Sequence, residues 1–164
     1  MAESWVINAS PVILLAKVGL IVHVPQLTES IIIPEPVAEE IRKCRTVDAA
    51  VSWINGTGRQ FVRAAVEELA VLRETGIGPG ERSVISWAAK NPGFVAVLDD
   101  SEARAAAQRF GVRVRGTVGV VLEMKKRGLI PEVNAPLTQI RRVGGYMSDE
   151  LFREALHCAG ERSE

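Results

Sequence analysis

An α/β fold, built on a mostly parallel sheet with helical crossovers, is the class this sequence predicts, and three observations predict it. Short, largely β-branched apolar runs recur at residues 5–7, 31–33, 95–98 and 112–114, the composition of strands that fit a pleated, buried surface. The stretches between them carry apolar residues three and four apart, which is helical spacing. Polar residues follow two of the runs at once: Asn8 after the first, Asp99 and Asp100 after the third. Strands alternating with helices pair in parallel, because each return to the sheet needs a crossover.

Taken in order, the strand at 5–7 ends at Asn8, and Ser10-Pro11 has the form of an N-cap with proline at the first helical position. Two short apolar helices follow at 12–18 and 20–27, divided by Gly19. After the strand at 31–33, Pro34 opens a helix through Arg42 with Val37 and Ile41 inward; its acids are Glu35, Glu39 and Glu40. A brief helix is expected at 48–54, a loop at Asn55-Gly56-Thr57-Gly58, a short strand at 60–63 and a helix over 67–74. Gly76 to Gly80 form a turn before a helix at 81–90, with Glu81 in its first turn, where the helix dipole favours an acid. The strand at 95–98 then delivers Asp99 and Asp100 to its own end, and the helix after it stops at Gly111. Asp99, Asp100 or Ser101 caps that helix. A strand at 112–114, a helix from Thr117 to Gly128 with Thr117 as its cap, and helices at 136–143 and 148–159 complete the chain.

A chain of 164 residues suits a single domain, 1–164, with the helix at 148–159 packed on it, and one of that size buries roughly 70% of its extended surface. Lys plus Arg equals Asp plus Glu at 20 each, so net charge argues for neither nucleic acid nor membrane. The distribution is uneven. Between Arg104 and Arg142 stand nine basic residues against Glu123 and Glu132, a basic rim for an acidic pocket or simply a set of solvated helix faces. Cys44 and Cys158 are far apart, so neither a disulfide framework nor a zinc site is indicated, and both suit the reduced thiols of a cytoplasmic protein. The N-terminal apolar stretch is broken by Lys17, Gly19 and His23, unlike a signal peptide or a membrane span. His23 and His157 fit structural or exposed positions; Trp5, Trp53 and Trp87 fit core or interface. The apolar helices at 12–27 and 148–159 suit a homodimer interface and suit core equally.

In a parallel sheet, strand C-termini and the following helix N-termini share one edge, so Asn8, Glu81, Asp99 and Asp100 converge there. Clustered carboxylates repel unless a cation lies between them, and hard oxygen donors without His or Cys suit Mg2+ or Mn2+. Each position also has a plainer use: Glu40 as a surface acid, Glu81 as a dipole-favoured first-turn residue, Asn8 as a helix cap. The Gly76-x-Gly78-x-Gly80 run opening a helix has some likeness to a phosphate cradle, but a helix rather than a strand precedes it and Pro79 removes a backbone donor. A turn feeding Glu81 is the simpler account.

Four segments carry a resemblance: VINASPVILLAKVGLIVHVPQL, PEPVAEEIRK, GIGPGERSVISWA and VLDDSEARAAAQRFGVRVRGTVGVVLEMKKRGLIP. Together they resemble the PIN-domain superfamily over residues 6–154, in particular a prokaryotic branch related to the toxins of VapBC type that often has Asn-Ala-Ser-Pro where others have Asp-Thr-Ser. The resemblance implies a three-layer α/β/α sandwich that cuts single-stranded RNA with Mg2+ or Mn2+ held by three or four acids. Matched motif by motif, those positions fall on Asn8, Glu40, Glu81 and Asp100, with Asp99 beside the last as a further candidate metal ligand and Ser10 where the family has a hydroxyl near the metal. The toxin version implies a small antitoxin that blocks the acidic pocket. Asn8 is the departure: an amide oxygen binds a hard cation without contributing a full charge. It leaves a second function open, a non-catalytic RNA-binding or protein-interaction module with a weakened metal site.

Overall fold

The structure, a computed structural model, describes residues 3–44 and 48–162, so both extremes of the expected 1–164 domain lie outside the described residues. Five strands form one sheet: β1 (Ser4–Ile7), β2 (Ser30–Pro34), β3 (Val62–Arg63), β4 (Phe94–Val97) and β5 (Val114–Arg115). Their order is β3-β2-β1-β4-β5, and every neighbouring pair is parallel. The helices are α1 (Ala9–Lys17), α2 (Glu35–Arg42), α3 (Asp48–Asn55), α4 (Pro79–Lys90), α5 (Ser101–Arg109), α6 (Thr117–Lys126), α7 (Asn134–Arg142) and α8 (Asp149–Cys158). They flank the sheet in a three-layer α/β/α arrangement.

β1 is central, and its run Trp5-Val6-Ile7 is buried, as are Val95 to Val97 of β4. Strands covered on both faces must be apolar at every position rather than at alternate ones, which is why these runs show no period of two. Burying each such Val or Ile stabilises the fold by roughly 1.5–3 kcal/mol. Trp5 lies opposite Ile31 and Val95, and Ile7 opposite Val97. α4 packs across β1, β2 and β4 with Val84, Ile85 and Ala88 buried, and its N-terminal turn lies by the end of β1, where the Gly80 side-chain position is 3.4 Å from Asn8 Oδ1. α8 packs on α6 with Ala155 and Leu156 buried.

Several expectations are corrected. The helix expected at 20–27 is a 3-10 segment, Ile21–Gln26, because Pro25 lacks the N–H a continued α-helix needs. α1 ends where Gly19 takes a φ of 75°, a conformation that costs glycine little. The helix expected over 67–74 exists only as a 3-10 turn, Ala70–Glu74. Ahead of it the backbone is engaged by α4 instead: Leu69 N–H donates to Ser86 Oγ, and Lys90 Nζ donates to the Glu67 carbonyl. Part of the strand expected at 60–63 is the 3-10 turn Thr57–Phe61, leaving two residues to pair with β2. β5 lies at 114–115 rather than 112–114.

α7 starts two residues early because the Glu161 carboxylate accepts the Val133 and Asn134 N–H groups, a cap supplied from far along the chain. Ser10 is not the cap of α1, whose N-cap position is Asn8. The apolar faces of the 12–27 and 148–159 segments are mostly core, with Val12, Leu15, Val24, Leu27 and Leu156 buried and Val22 and Leu151 left exposed. Trp5 and Trp53 are core, Trp53 stacking on Phe61, and Trp87 packs edge-on against Phe94. Among the described residues no helix is long and apolar enough to cross a membrane.

Candidate active site

The strand order reverses at β1: the chain moves from β1 outward to β2 and β3, then returns to β4 on the opposite side. At such a switch point, crossovers leave the sheet in opposite directions and a crevice opens between the two strand ends. Here those ends carry Asn8 after β1 and Asp99-Asp100 after β4. The Asn8 N–H donates to the Val97 carbonyl at 3.1 Å, which ties the two ends together.

Asn8 is buried, and its Oδ1 has no hydrogen-bond partner. It stands at the N-cap position of α1 but makes no capping bond, so the capping alternative does not describe it. A buried amide oxygen left alone costs roughly 1–3 kcal/mol. Such an orphan is retained where something else supplies the missing contact.

Glu40 enters from α2. Although much of the residue is exposed, its carboxylate reaches inward: Oε2 lies 2.6 Å, and Asn8 Oδ1 3.4 Å, from the point where a side-chain carbon on Gly80 would stand. Gly80 is therefore a gap that two oxygens from distant elements share. The sequence shows only a turn here; the glycine directly before the first-turn acid is the signal of the space it leaves.

Glu81 follows in the same turn of α4. Burial raises its pKa above the ordinary carboxylate value, and the Asp100 charge raises it further; the Gly78 N–H at the N-cap opposes them, and Glu40 and Glu102 add to the rise. Glu81 thus senses both Asp100 and Glu40. Carboxylates from three separate helices and strand ends act on one another at this edge.

Asp99 and Asp100 have different surroundings. Asp100 caps α5, its Oδ2 accepting the Ala103 N–H at 2.9 Å. Asp99 is the anchor of α6: Oδ1 accepts the Thr117 N–H at 2.8 Å, and Oδ2 accepts the hydroxyls of Thr117 at 2.7 Å and Ser10 at 3.2 Å. The expected cap of α6, Thr117, is instead its first residue and is capped by Asp99. Ser10 joins the group through Asp99, as a donor to it.

The donor set fits a hard divalent cation: one orphaned amide oxygen, and carboxylates whose mutual repulsion a cation relieves. As the side chains lie, no three His, Cys, Asp or Glu among the described residues close around a single point. Repelling carboxylates spread apart, so an open arrangement accompanies the raised Glu81 pKa.

Beside the acids runs a groove of about 1060 Å3 lined by Glu81, Asp99, Asp100, Arg104, Thr117, Tyr146 and apolar residues including Leu14 and Met147. The basic third is mostly engaged elsewhere. Arg113 and Arg115 pair with Glu3, Lys125 with Glu161, Arg127 with Glu123 and Arg141 with Asp149. Solvated and paired faces describe these residues better than a continuous rim. Of the four basic residues not so paired, Arg104 lines the groove: among the described residues no acid lies within 4.0 Å of it, and its Nη1 donates to the Leu98 carbonyl at 3.2 Å.

A family model described as a PIN domain matches residues 4–161. No curated protein and no solved structure matches the chain.

Proposed function

We propose that this chain, which belongs to the PIN-domain family, is a cytoplasmic endoribonuclease that cuts single-stranded RNA with Mg2+ or Mn2+ held by Asn8, Glu40, Glu81 and Asp100. PIN domains are generally nucleases, and the family carries the reading as far as a nuclease. The observation that carries it to these residues is the shared gap at Gly80, where Glu40 and Asn8 meet beside a Glu81 that feels both Glu40 and Asp100.

A bound divalent ion supplies stabilisation of the charge that builds on the phosphate and a lowered pKa for an attacking water. Glu40, Glu81 and Asp100 provide the negative charge that holds it, and Asn8 provides a neutral oxygen ready-placed by the β1–β4 bond. Gly80 leaves the space in which Glu40 and Asn8 come together. Asp99, bonded by Ser10 and Thr117, sets the start of α6 against the strand end that carries Asp100. It is a positioning residue in this reading, with Asp100 as the ligand of the pair.

The finer reading, a toxin whose small antitoxin covers the acidic edge, rests on the Asn-Ala-Ser-Pro motif at 8–11. A homodimer would use what the core leaves exposed, Val22 and Leu151. The chain acts as one domain in this reading.

The test is cleavage. Purified protein with Mn2+ is expected to cut a fluorescent single-stranded oligoribonucleotide, and Asp100→Asn, which keeps a capping oxygen for α5, is expected to lose at least about a hundredfold in rate. Equal cleavage by the variant refutes the site. The neutral Asn8 favours a second reading, a binding module with a weakened metal centre. RNA binding without any Mn2+-dependent cleavage would support that one.

A further inference from the structure

The groove beside the acids has a feature the cleavage reading does not use. Tyr146, the single tyrosine of the chain, is 96% exposed at its rim. An aromatic ring left almost wholly in water contributes little to the fold, and here it sits on the segment between α7 and α8, directly after Gly144 and Gly145. Gly144 has a φ of 101°, and Gly145 is buried against Ile140, so the backbone turns sharply before presenting the ring. Leu151, also partly exposed, lines the same groove.

Arg104 lines the same groove. Its Nη1 and Asp99 Oδ1 approach one point above Gly116, 2.6 and 3.3 Å from where a side-chain carbon would stand, which sets the guanidinium at the acid end. Its charge is not matched by any acid within 4.0 Å among the described residues, while Arg113 and Arg115 nearby are both tied to Glu3. A guanidinium with free N–H groups suits a phosphate, and an exposed aromatic ring suits the face of a base.

The geometry points to a single-stranded nucleic acid lying along this groove, a phosphate on Arg104 and an unpaired base stacked on Tyr146. The proposal rests on the nuclease reading and extends it: the strand is gripped by its base as well as by its backbone, so a duplex, whose bases are already stacked on one another, binds less well. Base-on-aromatic stacking is tolerant of sequence because every base has a π face. Tyr146 is therefore a binding residue that separates single strands from duplexes.

The experiment measures binding in EDTA by fluorescence anisotropy, using a labelled single-stranded ten-nucleotide RNA, the same strand with abasic linkers, and its duplex. Wild type is expected to prefer the ordinary strand over the abasic strand by about tenfold, the size of one lost stack. Tyr146→Ala is expected to bind both strands with the weaker affinity, and Tyr146→Phe to stay within about twofold of wild type, since the ring remains. In cleavage with Mn2+, Tyr146→Ala raises KM and leaves kcat nearly unchanged. Equal binding by wild type and Tyr146→Ala, or equal binding of ordinary and abasic strands, overturns the proposal; cleavage with Mn2+ by the same proteins then still supports the nuclease reading. No binding and no cleavage by wild type overturns both.

Discussion

Gly80→Ala is the substitution that most sharply separates site from scaffold. The new Cβ would stand 2.6 Å from Glu40 Oε2 and 3.4 Å from Asn8 Oδ1. Asn8 can stay, since 3.4 Å is an ordinary contact, but Glu40 must retreat by roughly 1 Å to reach a comfortable separation. The carboxylate sits at the end of a flexible side chain with an exposed surround, so the move costs the fold little. Meanwhile alanine replaces glycine within α4 at a residue whose φ is not positive, a change that favours the folded state by up to about 1 kcal/mol. A displacement of about 1 Å at a site of chemistry can cost on the order of a hundredfold in rate. The expected result is thus a protein that unfolds in urea at the same or a higher midpoint, binds Mn2+ more weakly by calorimetry and cuts RNA about a hundred times more slowly. Unchanged Mn2+ affinity and cleavage would refute the reasoning, because they would mean that the Glu40 carboxylate has no task at this gap.

Further predictions address the neighbouring groups. Asp99→Ala removes the side-chain cap of α6 together with the partner of Ser10, and is expected to lower unfolding free energy by about 2 kcal/mol in urea titration. Glu161→Ala opens the N-terminus of α7 and frees Lys125, with an expected loss of about 1–2 kcal/mol in the same assay and no effect on RNA cleavage. For Glu81, the folded-state pKa lies above the unfolded value, so the folded protein binds the extra proton. The stability this group contributes is complete below about pH 4.5 and is lost as pH rises through its raised folded value. Without metal, Glu81→Gln should flatten that part of the stability profile. A profile identical to wild type would show that Glu81 is not held near Asp100 and Glu40.

What sequence could reveal divides along a physical line. Asn8 and the pair Asp99-Asp100 were readable because each follows an apolar run, and in a parallel sheet a strand's end is also its functional edge. Glu81 was readable because a glycine-proline turn and a first-turn acid announce a helix start. Glu40 was not readable from periodicity, since on α2 it looks like its neighbour Glu39; what distinguishes it is a contact with Gly80, forty residues away, and only the resemblance pointed to it. The same limit explains the missed 67–74 region, where Ser86 and Lys90 of α4 take the backbone groups a helix would have used. It explains α7 as well, whose cap comes from Glu161. The basic residues after Arg104 left two accounts open for a related reason: charge counts along the chain do not show that Glu3 and Glu161 meet them in space.

The central claim is that Asn8, Glu40, Glu81 and Asp100 hold one hard cation between them. Its most direct test is an anomalous difference map from crystals of the protein grown with Mn2+. The account predicts a strong peak at the β1–β4 edge within bonding distance of Asn8 Oδ1 and of carboxylate oxygens from Glu40, Glu81 and Asp100. A peak elsewhere, or a well-ordered edge with those side chains apart and no peak at millimolar Mn2+, would contradict it.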